Sequence, residues 1–442
     1  MRQNPHDVVN VERGVLDCGS LGRCVGSVGH GWPGSTIILY RIVITVRQYG
    51  EEIGKQKMSV PSVSEQLRYF NQQRPKIVKT IRQLVEIESP SDVKQAVDRL
   101  GTVLASRFAE LGGRVLVHPA AKFGNHLQVE FKGSGKNKTE KPVLLLGHMD
   151  TVYPIGTISK MRCRVAKGLL YGPGVLDMKS GIALALHAIE AMLKWNTGKL
   201  PRLMTILLVS DEEVGSTSSR LITEALARKS SAVLVLEPAQ GLALKTARKG
   251  ICEYTLKVTG KAAHAGLDFE KGHSAIVELA KQIWQISQLT DIKRGTTVNV
   301  GKVSGGTRAN VVAAEATAII DVRVSRMGDG IEIDNRLRSL KTFNRNCQIT
   351  ISGGMNRPPM ERSAAGTGLY DKATSIADEL GWKLEEASVG GGSDGNFTAA
   401  LGIPTLDGLG GVGEGAHAEH ESVIISELPK RAALLAALIA RI

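Results

Sequence analysis

From about residue 64 onward the chain alternates amphipathic stretches with short, wholly apolar runs. Leu67, Phe70, Ile77, Ile81 and Leu84 recur at helical spacing and predict a helix over 66–87. A second helix is expected over 92–111, ended by Gly112 and Gly113, followed by strands over 114–118 and 125–131. The run Leu144-Leu145-Leu146-Gly147-His148-Met149-Asp150 reads as a strand buried on both faces, as in parallel sheets. Runs of the same kind cover 203–209 and 232–236, and a helix is expected to follow the Gly-Pro loop of 171–181 and run to about 195.

Near residue 245 the pattern changes. A strand over 253–259, a helix over 274–289, strands over 297–303 and 314–324, a helix over 331–344 and a strand over 348–352 are expected. The order βαββαβ is that of a ferredoxin-like unit. The first pattern then resumes with a helix over 368–380, strands over 384–389 and 403–406, and a final helix from about 427. The expected fold is α/β: a mostly parallel-sheet domain at 64–245 and 358–442, with an inserted ferredoxin-like α+β domain at 246–357. Residues 1–57 lack periodicity and the ordered features of a secretory signal, so they are expected to be a disordered or spurious extension, with Met58 near the true start.

Composition changes the picture little, with one exception. The chain has 442 residues, 42% hydrophobic and 22% charged, and no apolar run suited to spanning a membrane. Five cysteines without a CxxC pair fit a reducing compartment, so a cytoplasmic location is expected, with the periplasm also compatible. The exception is the formal charge of +13. Lys and Arg are dispersed and aromatics make up only 4%, which disfavours nucleic acid as the partner and favours an anionic small substrate.

Each apolar run ends in chemistry. The strand from 144 delivers His148 and Asp150, the next delivers Glu212 and Glu213, and the third delivers Glu237. Open α/β sheets place ligands just beyond the carboxyl ends of their parallel strands, which lie on one edge. Asp177 lies in a Gly-Pro loop where a helix N-cap belongs, and His417 lies in a late glycine-rich segment. Taken singly, each is equally a capping or hydrogen-bonded loop residue; together they form a ligand set. Imidazoles and carboxylates without thiolate suit Zn2+, with Co2+ or Mn2+ as substitutes. Two histidines with three or four carboxylates exceed one tetrahedral zinc and suit two metals sharing a bridging carboxylate. His187, inside an apolar helix, reads as a packed histidine, and Gly133–Lys138 as a hairpin turn. The P-loop pattern fails there because Glu130 and Asn137 occupy its Gly and Ser/Thr positions.

The segments GHMDTV, GPGVLDMKSG, SDEEVGS, LEPA, GKAAHAG and GAHAEHE, in this order, resemble the aminoacylase/carboxypeptidase family of dinuclear zinc peptidases. Acetylornithine deacetylase, succinyl-diaminopimelate desuccinylase and peptidase T are relatives, and the chain is most similar to the bacterial glutamate carboxypeptidase (carboxypeptidase G) branch. The resemblance implies that His148 and Glu237 hold one zinc, Glu213 and His417 the other, and Asp177 both, with a cis peptide after Asp177. It implies that Asp150 orients His148 and that Glu212 is the general base acting on a metal-bridging hydroxide. It assigns His264 as an oxyanion donor to the partner subunit's site, hence a homodimer, and Asn310 and Arg357 to the terminal carboxylate of the substrate. His420 stands where an asparagine or aspartate is expected and is not assigned as a ligand. The activity implied is zinc-dependent hydrolysis of an amide bond, releasing a C-terminal acidic residue, glutamate above all, from N-acyl or peptidyl substrates. Deacylation of acetyl- or succinyl-amino acids by the same mechanism is the alternative, and a non-catalytic binding protein of this fold the more remote one.

Overall fold

Helix α1 (Val63–Val85) opens on a capping box in which Ser62 and Glu65 satisfy each other's backbone N–H groups. Its apolar stripe of Phe70, Ile77, Ile81 and Leu84 is fully buried. Helix α2 (Lys94–Glu110) leads into β1 (Arg114–His118), β2 (His126–Phe131) and β3 (Val143–His148). Helix α3 (Ser180–Trp195), β4 (Met204–Val209), α4 (Arg220–Arg228) and β5 (Ala232–Val235) follow. This computed structural model describes residues 61–134 and 140–442. The expectation for residues 1–57 lies outside the described residues, as do residues 135–139 of the expected hairpin turn.

An insertion comes next: β6 (Gly250–Thr259), α5 (Ala275–Ser287), β7 (Thr297–Gly305), β8 (Glu315–Val324), α6 (Met327–Arg338) and β9 (Gln348–Arg357). The chain returns with α7 (Ala364–Glu379), the short β10 (Thr405–Leu406) and α8 (Leu428–Arg441). The fold is α/β, with a mostly parallel central sheet and an inserted α+β unit.

The central sheet has six strands in the order β1-β2-β4-β3-β5-β10. The four strands β4, β3, β5 and β10 run parallel, and β2 joins β4 antiparallel. Because β4 lies between β2 and β3, the segment joining those two strands is not a hairpin. Strand β3 is buried along its whole length, and successive residues serve opposite faces. Val143 and Leu145 pack with the core that includes α1, α3 and α8, whereas Leu144 and Leu146 pack with Leu207, Val233 and Ala227 of α4. Helices on both faces explain why β3 is an unbroken apolar run.

In the insertion the four-stranded antiparallel sheet has the order β7-β8-β6-β9, the ferredoxin-like arrangement. One face of β6, Cys252, Tyr254, Leu256 and Val258, meets Leu279 and Ile286 of α5 and Ile333 and Leu337 of α6 in a separate core. The strand pair Leu244–Arg248 with Glu386–Val389 leads into the insertion, and Arg357 leads out. At that crossing a Cβ on Gly250 would fall 2.7 Å from the Pro359 nitrogen, so only glycine lets the two connections pass this closely.

Some expectations need correction. Helix α6 starts at Met327 and ends at Arg338 rather than covering 331–344, because Gly328 and Gly330 hide its first turn from a propensity reading. Asp177 caps no helix: its backbone is extended (φ −112°, ψ 96°) and α3 begins only at Ser180.

Candidate metal centre

The carboxyl ends of β3, β4 and β5 lie side by side, and each sends donors over the same edge. His148, the last residue of β3, is 2% exposed. Its Nδ1 lies 3.0 Å from the Asp150 carbonyl and its Nε2 3.0 Å from Asp177 Oδ1. Beyond Nε2, Glu237 Oε1 from the end of β5 is 3.7 Å away. The Asp177 carboxylate turns its other oxygen to His417, with Oδ2 3.4 Å from Nε2, and Glu213 Oε2 lies 3.1 Å from that same nitrogen. One carboxylate thus stands between two imidazoles, and each imidazole has a further carboxylate of its own.

Local structure explains how the sequence reaches this geometry. Asp177 precedes a cis peptide to Met178 in a turn that a second loop clamps. The buried Glu421 carboxylate accepts from the backbone nitrogens of Gly174 (2.8 Å), Leu176 (2.8 Å) and Asp177 (2.9 Å). Glu421 and His417 share one loop, so the clamp aligns the loop bearing His417 with the turn bearing Asp177. His417 has φ +65°, a region seldom used by residues other than glycine. Asp150, fully buried, accepts from Ser91 Oγ at 2.7 Å and from the backbone nitrogens of Glu212 and Glu213 at 3.3 and 3.2 Å. It therefore ties the end of β3 to the acidic turn after β4. Gly410 permits another close approach: its nitrogen donates to the Glu237 carbonyl at 2.8 Å, where a Cβ would collide with Leu236.

The protonation states follow from this crowding. Burial works against an ionised Asp177, yet His148 and His417 hold its carboxyl well below the usual range. Hydrogen bonds to Asp177 and Glu213 raise His417 to about 10. His148 is also raised well above the ordinary histidine value: burial opposes the charge, and Asp150 and Asp177 outweigh it. Burial, then the nearby charge of Asp177, pushes Glu237 up to about 7. Burial likewise raises Glu212, with Arg357 opposing.

These residues fit divalent cations. Proton-bearing imidazoles wedged between carboxylates mark places where a cation is favourable. Glu213 Oε1 is buried with no hydrogen-bond partner among the described residues, an acceptor in want of a positive ligand. Two groupings have ligand atoms within 4.8 Å of one another: His148, Glu212 and Glu237, and His148, Asp177 and Glu213. The donor set is imidazole and carboxylate throughout, which suits zinc, cobalt or manganese.

The remaining site residues are placed less uniformly. Arg357 is 3% exposed and donates to Glu212 Oε1 (2.9 Å), Asp394 Oδ1 (2.5 Å) and Ser216 Oγ (2.9 Å). Its guanidinium is committed to carboxylates of the chain itself, whereas the sequence reading leaves it open to a substrate. Asn310 is exposed on the turn before β8 and is not among the hydrogen-bond partners of Arg357, which are Asp394, Glu212 and Ser216. His264 is exposed in the loop after β6, where its Nδ1 accepts from the nitrogens of Gly266 and Leu267, both at 3.2 Å. Its ring proton therefore sits on Nε2, which faces away from those amides as a donor. His187 packs as expected, with Nε2 3.0 Å from Thr80 Oγ1.

Sequence reasoning overlooked Glu421, Ser91, Arg248 and Asp407. Glu421 ends the segment GAHAEHE, and its role as a clamp on the Asp177 turn has no local signature. Arg248 carries a sequence signal of its own, a charge in a strand that proves buried.

An α/β sheet whose parallel strand ends gather histidines and carboxylates around one edge forms a candidate divalent-metal site of the kind that metal-dependent hydrolases use. The chain belongs to peptidase family M20/M25/M40, whose model matches residues 144–441. It is 31% identical over 377 residues to "Carboxypeptidase G2" of Pseudomonas sp. (strain RS-16), covering 83% of this chain and 89% of that one. It is 29% identical over 311 residues to "Succinyl-diaminopimelate desuccinylase" of Dechloromonas aromatica (strain RCB), covering 65% of this chain and 80% of that one. Among solved structures, aminopeptidase PepT from Bacillus cereus ATCC 10987 shares the fold with a TM-score of 0.70 at 24% identity, covering 83% of this chain and 98% of that one. The protein is thus a metallopeptidase or amidohydrolase by family. No helix among the described residues is long and apolar enough to cross a membrane.

Proposed function

We propose that the protein is a zinc-dependent carboxypeptidase that releases a C-terminal acidic residue, glutamate above all, from N-acyl or peptidyl substrates. The observation that carries this reading is the pair of imidazoles, His148 and His417, facing opposite oxygens of Asp177. In it His148 and Glu237 would hold one ion, His417 and Glu213 the other, and Asp177 would serve both. Divalent ions held there would supply Lewis acidity toward a water and an amide carbonyl.

The chain's own residues do the rest. Glu212, at the rim of the cluster and raised by burial, takes a proton from the attacking water at its carboxylate and hands it to the departing amine. The Asp150 carbonyl fixes the ring of His148, and its carboxylate fixes the turn carrying Glu212 and Glu213. His264, with its proton on Nε2, is the donor to the developing oxyanion in the site of a second subunit, which makes the working unit a homodimer. Arg357 and Asn310 serve the substrate's terminal carboxylate, and Arg357 must exchange its bond to Glu212 to do so. The charge of +13 supports an anionic substrate.

Similarity to a desuccinylase supports a second reading, removal of an acyl group from an N-acyl amino acid. Zinc-loaded protein assayed against N-acyl-glutamates, folate-type conjugates, and N-acetyl and N-succinyl basic amino acids separates them. Highest kcat/KM on acidic C-terminal residues supports the first; preference for a succinyl or acetyl group regardless of the amino acid supports the second.

A further inference from the structure

Arg248 ends the strand that carries the chain into the insertion, and the reaction as outlined gives it no task. It is nevertheless 4% exposed, and its whole guanidinium is spent around the site. Nε and Nη2 grip Asp407 as a fork, at 2.7 and 2.9 Å. Nη1 donates to the carbonyls of Gly391 and Gly392 at 3.1 and 3.2 Å, and Nη2 also reaches Glu237 Oε2 at 3.4 Å. Asp407 is fully buried and accepts a further hydrogen bond from Ser393 Oγ at 2.6 Å. The guanidinium is therefore fixed from behind by groups that do not touch the histidine–carboxylate cluster.

Glu237 is consequently divided. Its Oε2 belongs to Arg248 and its Oε1 faces His148 Nε2 at 3.7 Å. Glu213, on the other side of Asp177, is undivided, with Oε2 at His417 and Oε1 buried without a partner among the described residues. We propose that Arg248 is a positioning residue for Glu237: it occupies Oε2, turns Oε1 toward the metal position shared with His148, and leaves Glu237 a single donor oxygen. The inference rests on the metallopeptidase reading above. It has a physical basis in the way groups behind a ligand tune its orientation, with losses of 10–100-fold in metal affinity on their removal. A planar fork already anchored on Asp407 can do this at little entropic cost, which a flexible ammonium cannot match.

The test uses the full-length protein stripped by a chelator and titrated with Zn2+ in competition with a chromophoric chelator. Wild type is compared with Arg248→Gln, with Arg248→Lys, and with the double variant Arg248→Gln/Asp407→Asn. The double variant avoids stranding a buried Asp407 charge and so remains folded if the single variant does not. One of two zinc affinities is expected to fall about 10–100-fold in Arg248→Gln and in the double variant. The other affinity stays at the wild-type value, and Arg248→Lys recovers part of the loss. Variants that melt at lower temperature but keep both affinities would show a merely structural anchor and overturn the inference. Wild type that takes up no divalent ion overturns the metallopeptidase reading and this inference with it, so the two failures are distinct.

Discussion

Arg357 Nη2 donates to Glu212 Oε1 across 2.9 Å, joining the last residue of the inserted sheet to the acidic turn after β4. The same guanidinium holds Asp394 and lies over the Phe397 ring, 4.8 Å from its centroid. The insertion and the candidate general base are therefore bonded directly.

Removing that cation leaves two carboxylates buried without their partner. Arg357→Ala is expected to lower unfolding stability by about 3–5 kcal/mol. Urea denaturation of the metal-free protein checks this, and a midpoint equal to wild type would mean that the guanidinium is easily replaced by water.

Glu421 carries the alignment of the Asp177 turn. Glu421→Ala strands three backbone donors, of Gly174, Leu176 and Asp177, and each buried unpaired donor costs about 1–3 kcal/mol. A loss of about 3 kcal/mol or more is expected, with weaker zinc binding, whereas Glu421→Gln keeps an acceptor oxygen and loses less. Equal stability of the alanine and glutamine variants would contradict the clamp.

Protons and metal compete for the same atoms. In the metal-free protein His417 is raised from 6.5 to about 10 and Glu237 from 4.5 to about 7. A raised folded value stabilises the fold below the unfolded pKa and is lost as pH rises through the folded one. Glu237 thus weakens the metal-free protein as pH rises from about 4.5 to 7, and His417 as it rises from about 6.5 to 10. A cation that displaces these protons binds more tightly as pH rises over the same window. Calorimetric titration at pH 8 in buffers of different ionisation enthalpy should report release of about one proton or more per chain. Zinc uptake with no proton release at pH 8 would contradict the assignment of His417.

His264 can be tested without knowing the interface. If it serves the neighbouring subunit's site, Glu212→Gln and His264→Ala chains are each inactive, but mixing them through reversible denaturation restores activity. Half the dimers are then mixed and one site in each is intact, so recovery approaches about a quarter of wild type. No recovery, with mixed dimers demonstrated by mass, would place His264 in its own subunit's site or outside catalysis.

The sheet edge was legible in the sequence because parallel strands buried on both faces are unbroken apolar runs. The residues that end them, His148, Glu212, Glu213 and Glu237, therefore stand out. Asp177 was legible as a residue, and the family resemblance carried the cis peptide after it, but its extended backbone was not legible, since a lone aspartate before a helix reads as a cap. Arg248 and Arg357 were the hardest to read. Arg248 finds Asp407 159 residues away, and Arg357 finds Glu212 145 residues away, pairings that no local pattern encodes. Arg357 in particular reads as a group awaiting an anionic ligand, and only the fold reveals that the chain supplies its own.

The central claim is that Glu212 moves the proton in a two-metal amide hydrolysis. Its most direct test is the turnover of an N-acyl-glutamate by zinc-loaded Glu212→Gln, with zinc content measured on the same sample. The account predicts a fall in kcat of about 10²–10⁴-fold, with both ions retained. A variant that turns over at the wild-type rate would contradict it.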